Sequence, residues 1–347
     1  MDVVRLKTVD AFVVFDLDDS PHSAGGTRLA PDVTEREGAL LARAMTYKFA
    51  VLGRPLGGAK GLVRARPDER AAAMARYCEE IRPLVDGRRF LTGPDLGTYE
   101  ADFAPLRSAD WKPHVLNSTV HGVAFEDVLT GFGVAVAADA ALGGLDGRTV
   151  AIEGFGKVGA GVAREVTRRG ARVVAVSTVA GCVIDPDGLG LDELWEARAA
   201  HGDRLVTELG RACLPLDALF EADADVLVPG ARPGVLDERR AASVAARAVV
   251  PAANVPYTAG GLRRLEARGV QAHADFVCNA AAVVGYTSAA SATQQQVLDH
   301  VDRTISELVR VCAADERGQF AAATKIAEEF LRTWRPDDAE PPGPPLA

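Results

Sequence analysis

The sequence predicts an α/β protein of two domains, an N-terminal α/β domain and a C-terminal doubly wound sheet. Two observations carry this prediction. At 347 residues and 48% hydrophobic content, the chain exceeds the usual size of one domain and can bury an ample core. A glycine-rich segment at residues 154–159 lies between a strand pattern and a helical pattern, and further strand patterns follow it. We expect the first domain over residues 1–128 and the second over 129–315.

The N-terminal elements follow from local patterns. Residues 11–17 form an apolar run rich in Val and Phe that ends in Asp-Asp-Ser-Pro, which predicts a strand and then a loop. Thr34 and Glu37 have the spacing of a capping box, and apolar residues recur after them at helical intervals, so a helix begins there. A second helix is predicted over 68–82, ending before the next proline, and a short strand over 90–92.

The second half contains a strand, a glycine turn, a helix and a strand within about thirty residues. This context makes a G-x-G-x-x-G segment typical of dinucleotide binding. Gly154 permits the tight turn, Gly156 lets the backbone approach a pyrophosphate at the helix N-terminus, and Gly159 permits close helix–strand packing. We predict contacts to a dinucleotide from Gly154, Gly156, Lys157, Val158 and Gly159.

The remaining second-half elements complete a Rossmann-type sheet. The strand pattern at 172–177 follows the glycine-rich helix, and later strand patterns occur at 225–229, 248–251 and 270–274. An alanine-rich helix over 132–142 precedes the sheet. The element types alternate as expected for a doubly wound fold.

The identity of the dinucleotide stays open. NAD-specific proteins of this type place an acidic residue on the ribose 2′-hydroxyl about twenty residues after the glycine segment. Here Ser177, Thr178 and Val179 occupy that place, and no arginine follows directly. We expect Thr178 to contact the cofactor, which is NAD or NADP, with a slight lean to NAD because no cationic phosphate site is visible.

Two lysines stand out in a chain that prefers arginine. Only six of its 39 basic residues are lysine. Lys48 lies on or beside the apolar stripe of the first helix, and Lys60 lies in the glycine-rich segment 56–61. An ammonium is a compact charge that can lose its proton when buried, which suits a base or a carboxylate anchor. The pair indicates amine or carbonyl chemistry.

Five short blocks occur in a shared order and spacing: Gly25-Gly26-Thr27-Arg28, Ala44-Met45-Thr46-Tyr47-Lys48, Leu56-Gly57-Gly58-Ala59-Lys60-Gly61, Asp95-Leu96-Gly97-Thr98 and Thr130-Gly131-Phe132-Gly133-Val134. Together with the glycine-rich segment at 154–159, they resemble the glutamate/leucine/phenylalanine/valine dehydrogenase family, and most closely its leucine/phenylalanine branch. The resemblance covers nearly the whole chain.

The resemblance implies an NAD(P)-dependent oxidoreductase, an amino acid dehydrogenase with catalysis in a cleft between its domains. It implies that Lys48 holds the substrate α-carboxylate, that Lys60 activates the water attacking an imino acid, and that Asp95 relays protons to and from nitrogen. Two ammonium groups in one cleft lower the pKa of one of them, which agrees with a base at Lys60. Gly25 and Gly26 would lie beside the substrate.

The same resemblance extends to the cofactor and the assembly. It implies cofactor contacts from Thr130, Asn254 and Asn279. It also implies a homo-oligomer built through the N-terminal domain, which a C-terminal helix at 316–334 would rejoin. The prolines and acidic residues of the last segment, 335–347, suggest disorder.

Two departures from the family's pattern narrow the range of expected substrates. In the family's glutamate enzymes a lysine precedes the first Gly-Gly pair, and here that place is Ala24. A serine that also meets the side-chain carboxylate falls on Tyr286. A buried carboxylate without a cation or donor is strongly disfavoured. We therefore expect an apolar or aromatic L-amino acid, interconverted with its 2-oxo acid and ammonia.

Other interpretations stay open. Ala280-Ala281-Ala282 replaces two glycines of the family's pattern, which suits an unusual amino or imino acid of secondary metabolism. A non-catalytic regulator that binds a dinucleotide is a further alternative. Locally, Lys60 could be a surface lysine on a glycine turn, Lys48 a helix-end lysine, Asp95 a turn residue, both asparagines backbone-bonding groups, and Lys157 a solvated lysine.

Composition argues against several classes of protein. The net charge of −9 and the absence of a basic tract argue against nucleic acid and acidic membranes as partners. No apolar run approaches the roughly 18 residues of a membrane span, and residues 1–5 lack a signal-peptide layout, so a cytoplasmic protein is expected. Five scattered cysteines and the histidine spacing indicate neither disulfides nor a metal site.

Overall fold

The computed structural model of the chain describes residues 1–107, 112–120, 123–336 and 338–347. The chain forms two compact units, one of residues 1–111 and 324–345 and one of residues 112–323 with the last two residues. The structural division thus falls at 111/112 and 323/324, whereas the sequence patterns placed it at 128/129 and 315/316. No helix within the described ranges has the length and apolar character needed to cross a membrane.

The first unit contains a five-stranded sheet and two long helices. Its elements are β1 (Asp2–Arg5), β2 (Ala11–Phe15), β3 (Ser23–Leu29), α1 (Glu35–Val51), β4 (Gly57–Val63), α2 (Arg70–Asp86) and β5 (Phe90–Pro94), followed by a 3-10 segment, Glu100–Leu106. The strand order is β1-β2-β4-β3-β5. Strand β4 runs antiparallel to β2 and parallel to β3, which in turn runs parallel to β5.

Lys60 lies in the middle of β4, the central strand of this sheet, and not on a turn. The alternative of a surface lysine on a glycine turn was therefore wrong, because Lys60 is also buried. A Cβ on Gly58 would lie 1.9 Å from the Ala42 carbonyl oxygen, so helix α1 packs directly on the strand backbone. The glycines are required for close packing of helix and strand, which a local sequence pattern does not reveal.

Helix α2 continues through Pro83, so the predicted helix end before this residue was also wrong. A proline inside a helix costs about 3 kcal/mol. The fully buried side chains of Tyr77 and Ile81 lie on the same helix. Each burial contributes about 1.5–3 kcal/mol, which offsets the cost of the proline.

The second unit carries the predicted doubly wound sheet. Its strands are β6 (Thr119–Val120), β7 (Val123–Ala124), β8 (Thr149–Glu153), β9 (Arg172–Thr178), β10 (Gly181–Ile184), β11 (Val226–Pro229), β12 (Ala248–Val249) and β13 (Gln271–Ala272). Its helices are α3 (Phe125–Leu142), α4 (Lys157–Arg168), α5 (Leu191–His201), α6 (Leu205–Glu208), α7 (Glu238–Ser243), α8 (Ala259–Ala267), α9 (Asp275–Cys278), α10 (Ala281–Tyr286) and α11 (Gln294–Ala313). Helix α12 (Gln319–Leu331) crosses the second boundary.

The strand order of the main sheet is β10-β9-β8-β11-β12-β13, and every pair is parallel except the edge pair β9/β10. The order reverses between β8 and β11. In sheets of this kind ligands bind at the carboxyl ends of the strands at such a reversal. The predicted two-domain α/β fold is confirmed, and the glycine-rich segment lies at this reversal.

The described residues of the C-terminal tail, 335–336 and 338–347, form no helix or strand, but they are held at specific points. In the first unit, Arg43 Nη1 donates to the Gly343 carbonyl oxygen at 3.2 Å. In the second unit, Ala347 N donates to the Tyr257 carbonyl oxygen at 2.9 Å. Composition suggested disorder for this tail, but its described residues form specific hydrogen bonds.

Candidate active site

Lys60 and Asp95 form a buried ion pair in the first unit. The distance from Lys60 Nζ to Asp95 Oδ2 is 2.6 Å, and the side chains are 5% and 27% exposed. Arg28 also contacts the Asp95 carboxylate, with its Nε 3.2 Å from Oδ2, and it forms a second ion pair with Glu37. The two residues that the sequence singled out for proton transfer thus meet directly.

Strand β3 lies between the two residues and carries Gly26 beside them. A Cβ on Gly26 would lie 3.0 Å from Asp95 Cβ and 2.9 Å from the Pro94 carbonyl oxygen. The turn after β5 fixes Asp95, because Asp95 N donates to Thr98 Oγ1 at 2.9 Å and this hydroxyl donates to the Thr27 carbonyl oxygen at 2.8 Å. Backbone contacts therefore set the position of the pair.

Burial lowers the pKa of Lys60, and the nearby Arg28 guanidinium adds to this effect while Asp95 opposes it. Burial alone would raise the pKa of Asp95, but Lys60 and Arg28 outweigh it and hold that pKa well below its usual range. The carboxylate thus stays charged, while the ammonium loses its proton more easily than an exposed lysine does. Such a pair can take up and release protons beside a substrate.

Lys48 is buried on α1, in agreement with the predicted inward face. Ala24 and Gly25 precede Gly26 on β3. A Cβ on Gly25 would lie 1.7 Å from the Ala59 carbonyl oxygen, so close strand pairing requires a glycine at this position.

In the second unit, the glycine-rich turn after β8 has the geometry of an anion cradle. Gly154 has a φ of +85°, which favours glycine. A Cβ on Gly156 would meet no atom within 4 Å, and one on Gly159 would lie 2.0 Å from the Gly154 carbonyl oxygen. Gly154 N and Phe155 N both donate to the Ser177 carbonyl oxygen, so the turn lies against the end of β9.

The two predicted asparagines lie together. Asn279 Nδ2 donates to Asn254 Oδ1 at 3.0 Å and to the Ala252 carbonyl oxygen at 3.1 Å. Asn279 Oδ1 is buried and accepts no hydrogen bond from the described residues. Val255 has a φ of +52°, and its N–H donates to Asp275 Oδ2 at 2.8 Å, which holds this strained turn. The buried acceptor oxygen fits an amide donor such as the nicotinamide carboxamide.

The other predicted cofactor residues have protein partners or lie half-buried. Lys157 is 63% exposed and its Nζ lies 3.1 Å from Asp127 Oδ2. The Thr178 hydroxyl donates to the carbonyl oxygen of Asp203. Thr130 on α3 and Val158 on α4 are half-buried.

Sequence reasoning missed Glu153, the last residue of β8. Its Oε2 accepts hydrogen bonds from Gly230 N at 3.0 Å and Ala231 N at 2.9 Å, across the strand-order reversal. Burial raises the pKa of this carboxyl, although the two backbone donors oppose the shift. The signal was present, because Glu153 is the acidic residue in an otherwise apolar strand directly before Gly154.

Sequence reasoning also missed a polar cluster around Tyr286, which we call the Glu126 cluster and define as Lys112, Glu126 and Tyr286. Lys112 Nζ lies 3.3 Å from Glu126 Oε2, and its side chain is 3% exposed. The Tyr286 hydroxyl donates to Glu126 Oε1. Residues this far apart in the chain give no local signal. The described residues bring together no group of three or more His, Cys, Asp or Glu side chains able to hold a metal ion.

The fold and these sites define a class, the α/β oxidoreductases with a dinucleotide-binding unit and a separate unit bearing a lysine–aspartate pair. Sequence profiles then identify the family. The profile "Glutamate/Leucine/Phenylalanine/Valine dehydrogenase" matches residues 122–328, and "Glu/Leu/Phe/Val dehydrogenase, dimerisation domain" matches residues 1–109. The chain belongs to the glutamate/leucine/phenylalanine/valine dehydrogenase family.

Two relatives are glutamate dehydrogenases. The chain is 35% identical to an NADP(+)-dependent glutamate dehydrogenase of Pyrobaculum calidifontis over 75% of this chain and 67% of that protein. It is 30% identical to an NAD-specific glutamate dehydrogenase A of Halobacterium salinarum over 90% of this chain and 74% of that protein.

Solved structures show the same fold. A hetero-hexameric glutamate dehydrogenase of Thermus thermophilus aligns with a TM-score of 0.76 and 27% identity, over 93% of this chain and 83% of that chain. An L-tryptophan dehydrogenase of Nostoc punctiforme aligns with a TM-score of 0.63 and 21% identity, over 96% and 95% of the two chains, a likeness of fold alone.

The comparisons confirm the predicted family, an enzyme that is an NAD(P)-dependent amino acid dehydrogenase, and NAD or NADP as cofactor. They do not support the leucine/phenylalanine branch, because the relatives are mostly glutamate dehydrogenases.

Proposed function

We propose that the enzyme catalyses the reversible oxidative deamination of an apolar or aromatic L-amino acid to its 2-oxo acid and ammonia. The observation that carries the chemistry is the buried 2.6 Å contact between Lys60 and Asp95, in the same unit as a second buried lysine, Lys48. The proposal assigns water activation to Lys60, proton relay to Asp95 and the α-carboxylate to Lys48.

The proton steps follow from the properties of the pair. In its neutral form Lys60 accepts a proton from the water that attacks the imino carbon, and the charged Asp95 carboxylate stabilises the resulting ammonium. Asp95 then takes the proton from the Lys60 ammonium and passes it to the departing nitrogen, which leaves as ammonia and returns Lys60 to its neutral form. Because both groups are positioned by backbone contacts, they need little rearrangement during the reaction.

The cofactor residues of this proposal lie in the second unit. The glycine turn and the N-terminus of α4 would hold the pyrophosphate, and Asn279 Oδ1 would accept a hydrogen bond from the nicotinamide carboxamide. NAD(P)⁺, when bound, supplies the acceptor for the hydride that leaves the α-carbon.

The substrate part of the proposal rests on Ala24 and Tyr286, the positions where the family's glutamate enzymes hold the side-chain carboxylate. Ala24 offers a methyl group, and the Tyr286 hydroxyl donates to Glu126. A glutamate carboxylate placed at Tyr286 would find the hydroxyl proton already donated to Glu126, and it would compete with Glu126 for the Lys112 ammonium. An apolar or aromatic side chain avoids both costs.

The test is a substrate screen with purified enzyme, NAD⁺ and NADP⁺, in which absorbance at 340 nm is followed with each proteinogenic amino acid. The reverse screen uses common 2-oxo acids with ammonium. Turnover with leucine, phenylalanine or tryptophan that exceeds turnover with glutamate supports the proposal, and a clear preference for glutamate contradicts the substrate assignment. Non-proteinogenic amino acids cover the alternative of an unusual substrate.

A non-catalytic regulator is the alternative of a different class. Replacing Lys60 by Ala separates the two, because a dehydrogenase loses turnover while dinucleotide binding survives. A regulator would show no turnover before or after the change. We also propose a homo-oligomer, since the profile matched by the first unit is named a dimerisation domain, and light scattering after gel filtration tests it.

A further inference from the structure

The end of β9 marks where the adenosine ribose of a bound dinucleotide lies in folds of this type. Ser177 accepts hydrogen bonds from Gly154 N at 3.1 Å and Phe155 N at 3.0 Å through its carbonyl oxygen, which places the strand end against the glycine turn. The residues that follow are Thr178, Val179 and Ala180, none of them acidic. The segment thus lacks the carboxylate that binds both hydroxyls of an NAD ribose.

The Thr178 hydroxyl does not replace that carboxylate. It donates its single proton to the Asp203 carbonyl oxygen and accepts a hydrogen bond from Ala180 N at 3.2 Å. Its role is to attach the short turn Gly202–Arg204 to the end of β9. This contact joins residues that are 25 positions apart, so the sequence alone does not show it.

The attached turn carries a cation. Arg204 directly follows Asp203, it is exposed, and no acidic group among the described residues forms an ion pair with it. The nearby Arg211 differs, because its Nε lies 2.7 Å from Asp185 and its Nη1 lies 2.5 Å from Glu193. Arg204 is therefore an exposed guanidinium on the turn that is held at the strand end, and it is available to an anion.

The remaining surroundings agree with an anion here. Val179, at the tip of the β9–β10 hairpin, is an 81% exposed apolar side chain where an NAD-specific protein would place negative charge. The exposed His201 precedes the turn and offers a second donor. Asp203 binds Thr178 through its backbone, and its side chain is the one acidic group within the turn.

We propose that Arg204, held at the end of β9 by the contact between Thr178 and Asp203, binds the 2′-phosphate of NADP(H) and makes this enzyme prefer NADP over NAD. An arginine binds a phosphate through two parallel hydrogen bonds, which an NAD ribose hydroxyl cannot match. This inference rests on the proposed dinucleotide site and replaces the slight lean to NAD that the sequence suggested.

The test is direct binding of NADPH and NADH to the full chain, measured by isothermal titration calorimetry at fixed ionic strength. The variants are Arg204→Ala and Arg204→Glu, with Arg263→Ala on α8 as a matched control, since Arg263 is also an exposed arginine of the second unit. 2′,5′-ADP and 5′-AMP serve as probes that lack the nicotinamide.

We expect the native enzyme to bind NADPH at least about tenfold more tightly than NADH, as one charge-assisted contact provides. Arg204→Ala should weaken NADPH and 2′,5′-ADP about 10- to 100-fold and leave NADH and 5′-AMP within about twofold. Arg204→Glu should reverse the preference, and Arg263→Ala should change nothing.

Equal or tighter binding of NADH by the native enzyme would overturn the inference, as would an equal loss of both dinucleotides in Arg204→Ala. If the inference fails in either way but the enzyme still turns over with NADH, the proposed dehydrogenase function stands. Failure to bind either dinucleotide would overturn both proposals together.

Discussion

Replacing Lys60 by Met removes the charge of the buried pair and keeps a side chain of similar length. The gross attraction between unit charges at 2.6 Å is about 6 kcal/mol at an effective dielectric constant of about 20. In the variant, Asp95 still forms its ion pair with Arg28 at 3.2 Å, whose gross attraction is about 5 kcal/mol by the same relation. The carboxylate therefore stays compensated, and the loss of folding stability should reach only about 1–3 kcal/mol, below the 3–5 kcal/mol typical of an orphaned buried charge.

The loss of activity should be much larger than the loss of stability. A positioned acid or base contributes about 10²- to 10⁴-fold to the rate, so kcat for oxidative deamination should fall by that factor while dinucleotide affinity stays within about twofold. The native enzyme should also gain kcat/KM with rising pH as Lys60 loses its proton, at a pKa below that of an exposed lysine. The variant should lack this rise.

The assays are initial rates at 340 nm across pH, urea unfolding for stability, and calorimetry for dinucleotide binding. Lys325→Met on α12 is the matched control, because Lys325 is 51% exposed and forms an ion pair with Glu329 at 3.5 Å within the helix. Retention of more than about a tenth of kcat in Lys60→Met, or of the same pH dependence, would refute the assignment of Lys60 as the base.

Three further changes probe other parts of the structure. Gly26→Ala places a Cβ 3.0 Å from Asp95 Cβ and 2.9 Å from the Pro94 carbonyl oxygen, so the backbone must shift. This displacement should lower kcat/KM about 100-fold and should also lower the melting temperature; near-native kinetics would contradict this. His273 is 2% exposed and burial lowers its pKa to about 4, so unfolding takes up a proton between about pH 6.5 and 4 and stability should fall by about 3 kcal/mol as pH drops through this window. His273→Leu should remove that fall, as urea unfolding at pH 7 and pH 4.5 will show. Burial raises the pKa of Glu153, so its contribution to stability decreases as pH rises above about 4.5. Glu153→Gln keeps an acceptor for the backbone N–H groups of Gly230 and Ala231. The melting temperature of this variant minus that of the native protein should increase from pH 4 to pH 8. A difference that stays constant with pH would argue against the raised pKa of Glu153.

The sequence predicted those features that depend on neighbours in the chain. Thr34 caps α1, since its side chain accepts from Glu37 N, and the glycine segment at 154–159 adopts the turn expected of it. The roles of Lys60 and Asp95 remain predictions, although the structure joins the two residues in an ion pair.

What the sequence did not predict depends on contacts between distant segments. The strand that carries Lys60 packs closely against α1 at Gly58. Asp203, the neighbour of Arg204, is held at the end of β9 by a hydrogen bond from Thr178 across 25 positions. Helix α2 passes through Pro83 because burial of its other side chains outweighs the local penalty. Local propensity carries no information about such contacts.

The glycines on β3 and β4 near Lys60 and Asp95 allow the distance between these two residues and the choice of substrate to be set by different parts of the chain. At Gly25 and Gly58 a single methyl group would lie within 2 Å of a carbonyl oxygen, so these positions tolerate no side chain. The spacing of Lys60 and Asp95 is thus fixed by backbone packing and cannot change by small steps. If the proposed roles hold, a change in the amino acid accepted is expected from substitutions at other positions, such as Ala24 or Tyr286, and not from a change in this distance.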